Sequence, residues 1–168
     1  MADWCNARLV ALGGRSVLLG FSRRARSQPS SFFEPDMLVG EAQELFSERI
    51  ENLEKGLAQK VYKFQVRNDD GCNHFRNLSK HHTRLYFVLV FGDPSSGDFG
   101  SYFMHQGRTR KYLIPQKTKE AVMAKHGVDH DPDDDSPYWE ASWELMDLAE
   151  DHWQESIKKV FKRPNSKR

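Results

Sequence analysis

The sequence "RLYFVLVFGD", residues 84–93, is an almost unbroken run of aromatic, leucine and valine side chains between charged ends. Successive side chains of a strand point to opposite faces, so a run without polar interruptions has both of its faces buried. The pattern therefore predicts a central strand of a sheet that is covered on both sides.

Other segments have the patterns of further strands. "KVYKFQVR", residues 60–67, alternates apolar with polar side chains, which predicts a half-buried strand. "FGSYFMHQG" (99–107) and "TRKYLIP" (109–115) predict two strands that form a hairpin with its turn at "QGR". Near the N-terminus, "NARLVALGG" (6–14) suits a short strand that ends in a turn.

Helical spacing marks two segments in the first half of the chain. Residues 36–59 give the clearer pattern. Their apolar side chains at helical spacing are Leu38, Ala42, Leu45, Phe46, Ile50, Leu53 and Leu57. Residues 72–82 predict a short helix that buries Phe75 and Leu78. For residues 15–37, helix, loop and disorder all stay open.

Two more helices are predicted after the hairpin. Residues 116–127 form a short one that ends at Gly127. The last helix begins at Pro137, because Ser136 can cap it and proline suits the first helical position. Its apolar stripe comprises Trp139, Trp143, Met146, Trp153, Ile157, Val160 and Phe161.

This order of elements predicts an α+β fold. We expect a ferredoxin-like, mostly antiparallel sheet with helices on one face and an added amphipathic C-terminal helix. The expected core spans residues 1–128. Residues 129–168 are expected to form an acidic linker and a C-terminal helix packed on that core.

Two stretches resemble a known family. "DWCNARLVALGG" (3–14) resembles the "N-W-C-x-N-R-L…G" opening of the YubB-like ferredoxin-like domains. Residues 62–107 resemble their strand, short helix ending in "L-S", hydrophobic strand, acidic residue and "F-x-G". The matching positions are Leu78–Ser79, Leu85–Phe91, Asp93, Phe99–Gly100 and Gly107. Where the family has a Trp-Gly-rich strand before the helix, this sequence has "VYKFQVR". The resemblance implies a ferredoxin-like sheet and an origin in plasmids, phages or integrated elements, and it implies no catalytic residues.

Length and composition exclude several classes of protein. The chain has 168 residues, enough for one domain with a core. Cys5 and Cys72 are too few for a disulfide framework. No stretch approaches the length of a membrane span, and Asp3, Arg8 and Arg15 interrupt any signal-peptide pattern. We therefore expect a cytoplasmic protein that contacts no membrane.

Candidate metal ligands and catalytic residues are few. Cys72, His74, His81 and His82 are close in sequence, but their spacing does not fit the paired ligands of a structural zinc site. An enzyme centred on Cys72 and His74 is one hypothesis, although catalytic triads usually gather from distant segments. No P-loop, dinucleotide fingerprint or HExxH motif occurs. We expect a non-enzymatic protein without metal or cofactor.

A second hypothesis is direct binding of RNA or DNA by the predicted hairpin. Arg108, Arg110 and Lys111 are near Tyr102, Phe103 and Tyr112 in its sequence, and the predicted binding residues are the three basic side chains with Tyr102 and Tyr112. Ferredoxin-like sheets that bind RNA stack bases on exposed strand aromatics and hold phosphates with nearby basic side chains. Alternatively, the aromatic residues belong to the core and the basic residues form a solvated hairpin tip.

Charge is strongly segregated along the chain. The net charge is +1, yet residues 129–155 carry eleven carboxylates and no Lys or Arg. Residues 1–128 and 156–168 each carry a net positive charge, which offsets these carboxylates. Within the last helix, five carboxylates follow helical spacing and form an acidic ribbon: Glu140, Glu144, Asp147, Asp151 and Glu155.

The acidic ribbon motivates the leading hypothesis. Carboxylates along one side of a helix can imitate a phosphate backbone and attract the Arg and Lys that normally hold nucleic acid. The protein would then be a mobile-element product that blocks a host nucleic-acid machine, as an anti-CRISPR-type inhibitor does. Its partner would be a host protein or ribonucleoprotein complex with a basic surface. Alternatively, the ribbon docks on the basic body of its own chain.

Overall fold

The computed structural model describes residues 4–28, 32, 37–38, 50–53, 56–67, 71–93, 97–128, 136–154, 156–157 and 159. The elements in chain order are β1 (Trp4–Gly14), α1 (Arg15–Ser27), β2 (Met37–Leu38), β3 (Glu51–Asn52), β4 (Leu57–Arg67), α2 (Cys72–His81), β5 (Tyr86–Asp93), β6 (Asp98–His105), β7 (Arg108–Leu113), α3 (Gln116–His126) and α4 (Ser136–Asp151). The fold is α+β, as the sequence predicted.

The strands form one antiparallel sheet in the order β2-β4-β1-β5-β6-β7, with β3 also paired to β4. β5, which the sequence predicted as the central strand, lies between β1 and β6. Leu89 and Val90 at its middle belong to different core clusters, and both are fully buried. The prediction of a strand covered on both faces is confirmed.

Helices cover both faces of the sheet, which corrects the expectation of helices on one face. On the first, the α1/α2 face, Leu9 and Leu89 pack with Leu18 and Phe75. The second, the α3/α4 face, has a separate cluster. That cluster comprises Val10, Leu12, Val88, Val90, Phe99, Ile114, Val122, Ala141, Leu145, Met146, Ala149, Trp153 and Ile157. Because β1 and β5 are apolar on both sides, helices on one face alone would leave half of this surface in water.

The continuous helix predicted for residues 36–59 is wrong at both of its ends. Met37–Leu38, Glu51–Asn52 and the residues from Leu57 onward are strands, and residues 39–49 lie outside the described part. The first residues of β4 continue the antiparallel pairing with β1 up to Leu57↔Gly14. Strand pairing and burial therefore override the local helical periodicity.

The remaining predicted helices are present. α1 settles the open question for residues 15–27, and it buries Leu18, Phe21 and Ala25. α2 buries Phe75 and Leu78 as predicted. Among the described residues, no helix is long and apolar enough to cross a membrane.

Candidate nucleic-acid interface

A cleft of about 580 Å³ opens on the α3/α4 face beside the β6–β7 hairpin. It is lined by Tyr86, Phe103, His105, Arg108, Arg110, Ser156 and Lys159. The pairing of β6 with β7 places Phe103 opposite Arg110 and His105 opposite Arg108. The aromatic rings of the cleft thus come from β5 and β6, and its two guanidinium groups come from β7.

The aromatic rings of the cleft form a stacked series. Tyr86 and His105 have ring centroids 4.0 Å apart and planes within 13°. The ring centroid of Phe103 lies 5.9 Å from that of Tyr86 and 5.4 Å from that of Trp153, with planes within 27°. Flat rings held nearly parallel offer the kind of surface on which nucleobases stack.

Hydrogen bonds hold this ring series in place. His105 Nδ1 donates to the carbonyl oxygen of Leu85 at 3.0 Å. Trp153 Nε1 donates to Ser101 Oγ at 2.8 Å, and Ser101 Oγ donates to the carbonyl oxygen of Ala149 at 2.7 Å. Both ends of the ring series are therefore oriented before any ligand binds.

The charge of the cleft is positive. Arg108, Arg110 and Lys159 are exposed, and none of the described residues that line the cleft is acidic. Burial raises the pKa of the Tyr86 phenol, which therefore stays neutral at physiological pH. Three cations, with no carboxylate among the described lining residues, favour an anionic ligand.

The hairpin that carries the two arginines is fixed to α2. Its turn uses Gln106 and Gly107, both with positive φ, at the position that the sequence predicted. The Gly107 amide donates to Ser79 Oγ at 2.9 Å. Since Ser79 is fully buried in α2, this contact anchors the start of β7.

The nucleic-acid residues predicted from the sequence do not lie on one surface. Arg108 and Arg110 line the cleft, whereas Lys111 and Tyr102 lie on the α1/α2 face. Lys111 Nζ lies 5.4 Å from the ring centroid of Tyr102, which is buried. Tyr112 lies on the α3/α4 face, where its ring stacks on His152 at 3.6 Å, but it is not among the described residues that line the cleft.

The cleft also contains residues that sequence reasoning missed. These are Tyr86, His105, Ser156 and Lys159, whereas the sequence already placed Phe103 beside the basic residues. One signal was available: Phe103 and His105 share the alternation that places Arg108 and Arg110 on one face. Tyr86 and Lys159 come from distant parts of the chain, so only the fold brings them to the cleft.

Two of the five carboxylates of the acidic ribbon, Glu144 and Asp147, pair with basic side chains of the same chain. Arg8 Nη2 on β1 donates to Asp147 Oδ1 at 2.8 Å. Lys125 Nζ and His126 Nε2 on α3 each donate to Glu144 Oε2 at 2.7 Å.

These contacts correct the hypothesis of an uncompensated ribbon. Hydrogen bonds from Lys125 and then His126 lower the pKa of Glu144, so its charge is stabilised inside the chain. Glu140 is exposed and lies 3.4 Å from His126 Nδ1. Asp151 is exposed, and Glu155 lies outside the described residues.

The predicted apolar stripe of α4 is wrong in part. Met146, Trp153 and Ile157 are buried as expected, but Trp139 and Trp143 are exposed by 42% and 46%. The buried side of the helix also includes four residues that the predicted stripe lacked. These are Leu145 and the small side chains Ala141, Ser142 and Ala149.

His74, one of the two residues of the possible enzyme centre on α2, has partners within the chain. His74 Nε2 donates to the carbonyl oxygen of Phe32 at 2.8 Å, and its ring meets Phe75 edge-on. Cys72 is two positions earlier on the same helix, and residues at that spacing point in different directions. Within the described part of the chain, no three His, Cys, Asp or Glu side chains form a group that could hold a metal.

Comparisons with protein-family models, with curated proteins and with solved structures find no match to this chain. The resemblance to YubB-like domains therefore stays a prediction.

Proposed function

We propose that the protein binds single-stranded nucleic acid in the cleft beside the β6–β7 hairpin. The observation that carries this proposal is the combination of three stacked rings with Arg108, Arg110 and Lys159, and with no carboxylate among the described lining residues. Proteins that bind single strands combine a positive groove for the phosphates with aromatic side chains for the bases.

The two parts of the cleft have separate roles in this proposal. Arg108 and Arg110 project from an edge strand and would hold phosphates, for which the planar guanidinium is well suited. Phe103, Tyr86 and His105 would present ring surface to unstacked bases. A base inside a duplex has no free face for such stacking, so the proposal favours single strands over duplexes.

Fluorescence anisotropy with a labelled fifteen-nucleotide polythymidine tests the proposal. Wild-type protein should bind, and Arg108→Gln/Arg110→Gln should weaken binding by at least about tenfold at low salt. Arg23→Gln/Lys117→Gln is the matched control, because it removes the same charge from exposed positions on α1 and α3. Equal losses in both double variants, or no binding by wild type, would contradict the proposal.

Three expectations from the sequence stay proposals: a ferredoxin-like fold, an origin in a mobile element and a cytoplasmic location. Inhibition of a host nucleic-acid machine stays a hypothesis. Phosphate mimicry by the acidic ribbon is less well supported than the cleft, because Glu144 and Asp147 already pair with Lys125 and Arg8.

A further inference from the structure

The outward side of α4 displays two tryptophans to solvent. Trp139 and Trp143 are four residues apart, so they are neighbours on the helix surface. The helix does not need them for anchoring, since Leu145, Met146 and Ala149 already bury its inner side. Two large exposed rings side by side are unusual on a protein surface, and exposed tryptophans are enriched at interaction sites.

The surroundings of these rings are acidic. From Ser136 to Asp151, α4 carries five carboxylates and no Lys or Arg. Arg8 pairs with Asp147 and Glu150, Lys125 pairs with Glu144, and the charge of Lys63 also acts on Glu150. Glu140, the residue after Trp139, and Asp151 are exposed, so the solvent-facing side of α4 carries negative charge.

We propose that Trp139, Trp143 and the flanking carboxylates form a docking surface for a basic segment of a partner protein. Indole rings lose unfavourable hydration when covered, and they attract Lys and Arg through cation–π contacts. Glu140 and Asp151, both exposed, add the charge complementarity that selects a basic partner.

The same charges disfavour two other occupants. Exposed tryptophans also suit membrane interfaces, but carboxylates repel anionic headgroups. Nucleic acid is repelled for the same reason, so this surface is separate from the cleft and does not depend on the proposed function. It also differs from phosphate mimicry, because apolar rings have no counterpart in a phosphate chain.

Calorimetric titration with a ten-residue peptide of alternating Lys and Leu tests the surface. The wild-type protein should bind this peptide and not the matched Glu-Leu peptide. Trp139→Ala/Trp143→Ala should weaken binding about tenfold or more, as truncation of interface tryptophans does. Leu148→Ala is the control: Leu148 is exposed on the same helix and should change affinity less than about twofold.

Three outcomes would overturn the proposal. The first is unchanged peptide binding by the double tryptophan variant, with folding verified by circular dichroism. The second is the absence of peptide binding by wild type. The third is a wild-type dimer that the double variant converts to monomer in sedimentation, which would assign the surface to a second copy. Polythymidine affinity should be the same in wild type and in Trp139→Ala/Trp143→Ala, which separates this test from that of the cleft.

Discussion

The guanidinium of Arg8 on β1 lies 2.8 Å from a carboxylate oxygen of Asp147 on α4. Its other terminal nitrogen lies 3.0 Å from Glu150, one turn further along the same helix. One cation therefore joins the sheet to two carboxylates of α4. Part of the acidic sequence that suggests an external partner thus serves to hold the helix on its own sheet.

Removal of Arg8 should destabilise the fold more than removal of Asp147. The Arg8 and Glu150 side chains are 14% and 19% exposed, and burial raises the pKa of Glu150 against the opposing effect of Arg8. Arg8→Met leaves this carboxylate buried without its partner and should lower the free energy of unfolding by about 2 kcal/mol. Asp147→Asn should cost less than about 1 kcal/mol, because Asp147 is 64% exposed. Urea denaturation measures both; equal effects would contradict this account.

His82 should make stability fall in mild acid. Its ring meets Phe21 edge-on at 4.9 Å, and burial, followed by the charges of Arg24 and His81, lowers its pKa. The unfolded chain then binds a proton at a pH where the folded chain does not. The contribution of neutral His82 to the free energy of unfolding is complete above pH 6.5, and it is lost as the pH falls toward the lowered pKa of the folded state.

Melting temperatures at pH 7.5 and 5.5 test this dependence. The difference between the two temperatures should be smaller in His82→Gln than in wild type. His81→Gln is the control, because His81 is exposed on the same helix and should keep most of the difference. An unchanged difference in His82→Gln would show that other groups cause the acid sensitivity.

A substitution at Gly107 should change both the stability of the protein and the affinity of the cleft for polythymidine. Its φ is +76°, and an added Cβ would lie 2.5 Å from Lys80 Cγ. Gly107→Ala should cost about 1 kcal/mol or more in stability and should weaken polythymidine binding, because Arg108 is the next residue. Gly97→Ala has a comparable φ of +67° with no atom within 4 Å of the added Cβ, so it should leave affinity unchanged. Equal affinities of the two variants would argue against a role for the turn.

The sequence predicted elements well where one pattern dominated. The run at residues 85–91 is short, rich in aromatic and β-branched side chains and bounded by charged residues, and these features together favour a strand over a buried helix. The hairpin and the helices from Cys72 and Gln116 followed from turn chemistry and spacing. The error at residues 36–59 arose because strand pairing, which local periodicity does not encode, decides the structure at both ends.

The candidate site was less predictable than the fold. Arg108 and Arg110 were found because they are adjacent to a recognisable turn. Tyr86 and His105 were missed because the β5–β6 pairing joins them from nineteen positions apart in the sequence. On α4, the sequence could not tell which side faces the sheet, since Ala141 and Ala149 contact it where Trp139 and Trp143 were expected.

The salt dependence of polythymidine affinity tests the central claim most directly. The logarithm of the association constant, plotted against the logarithm of the salt concentration, should have a slope of about −2 for wild type if three cations contact phosphates of a single strand. Arg108→Gln/Arg110→Gln should make the slope less negative by about 1.4, whereas Arg23→Gln/Lys117→Gln should keep the wild-type slope. A slope that is the same in wild type and in the Arg108/Arg110 variant would contradict phosphate binding in the cleft.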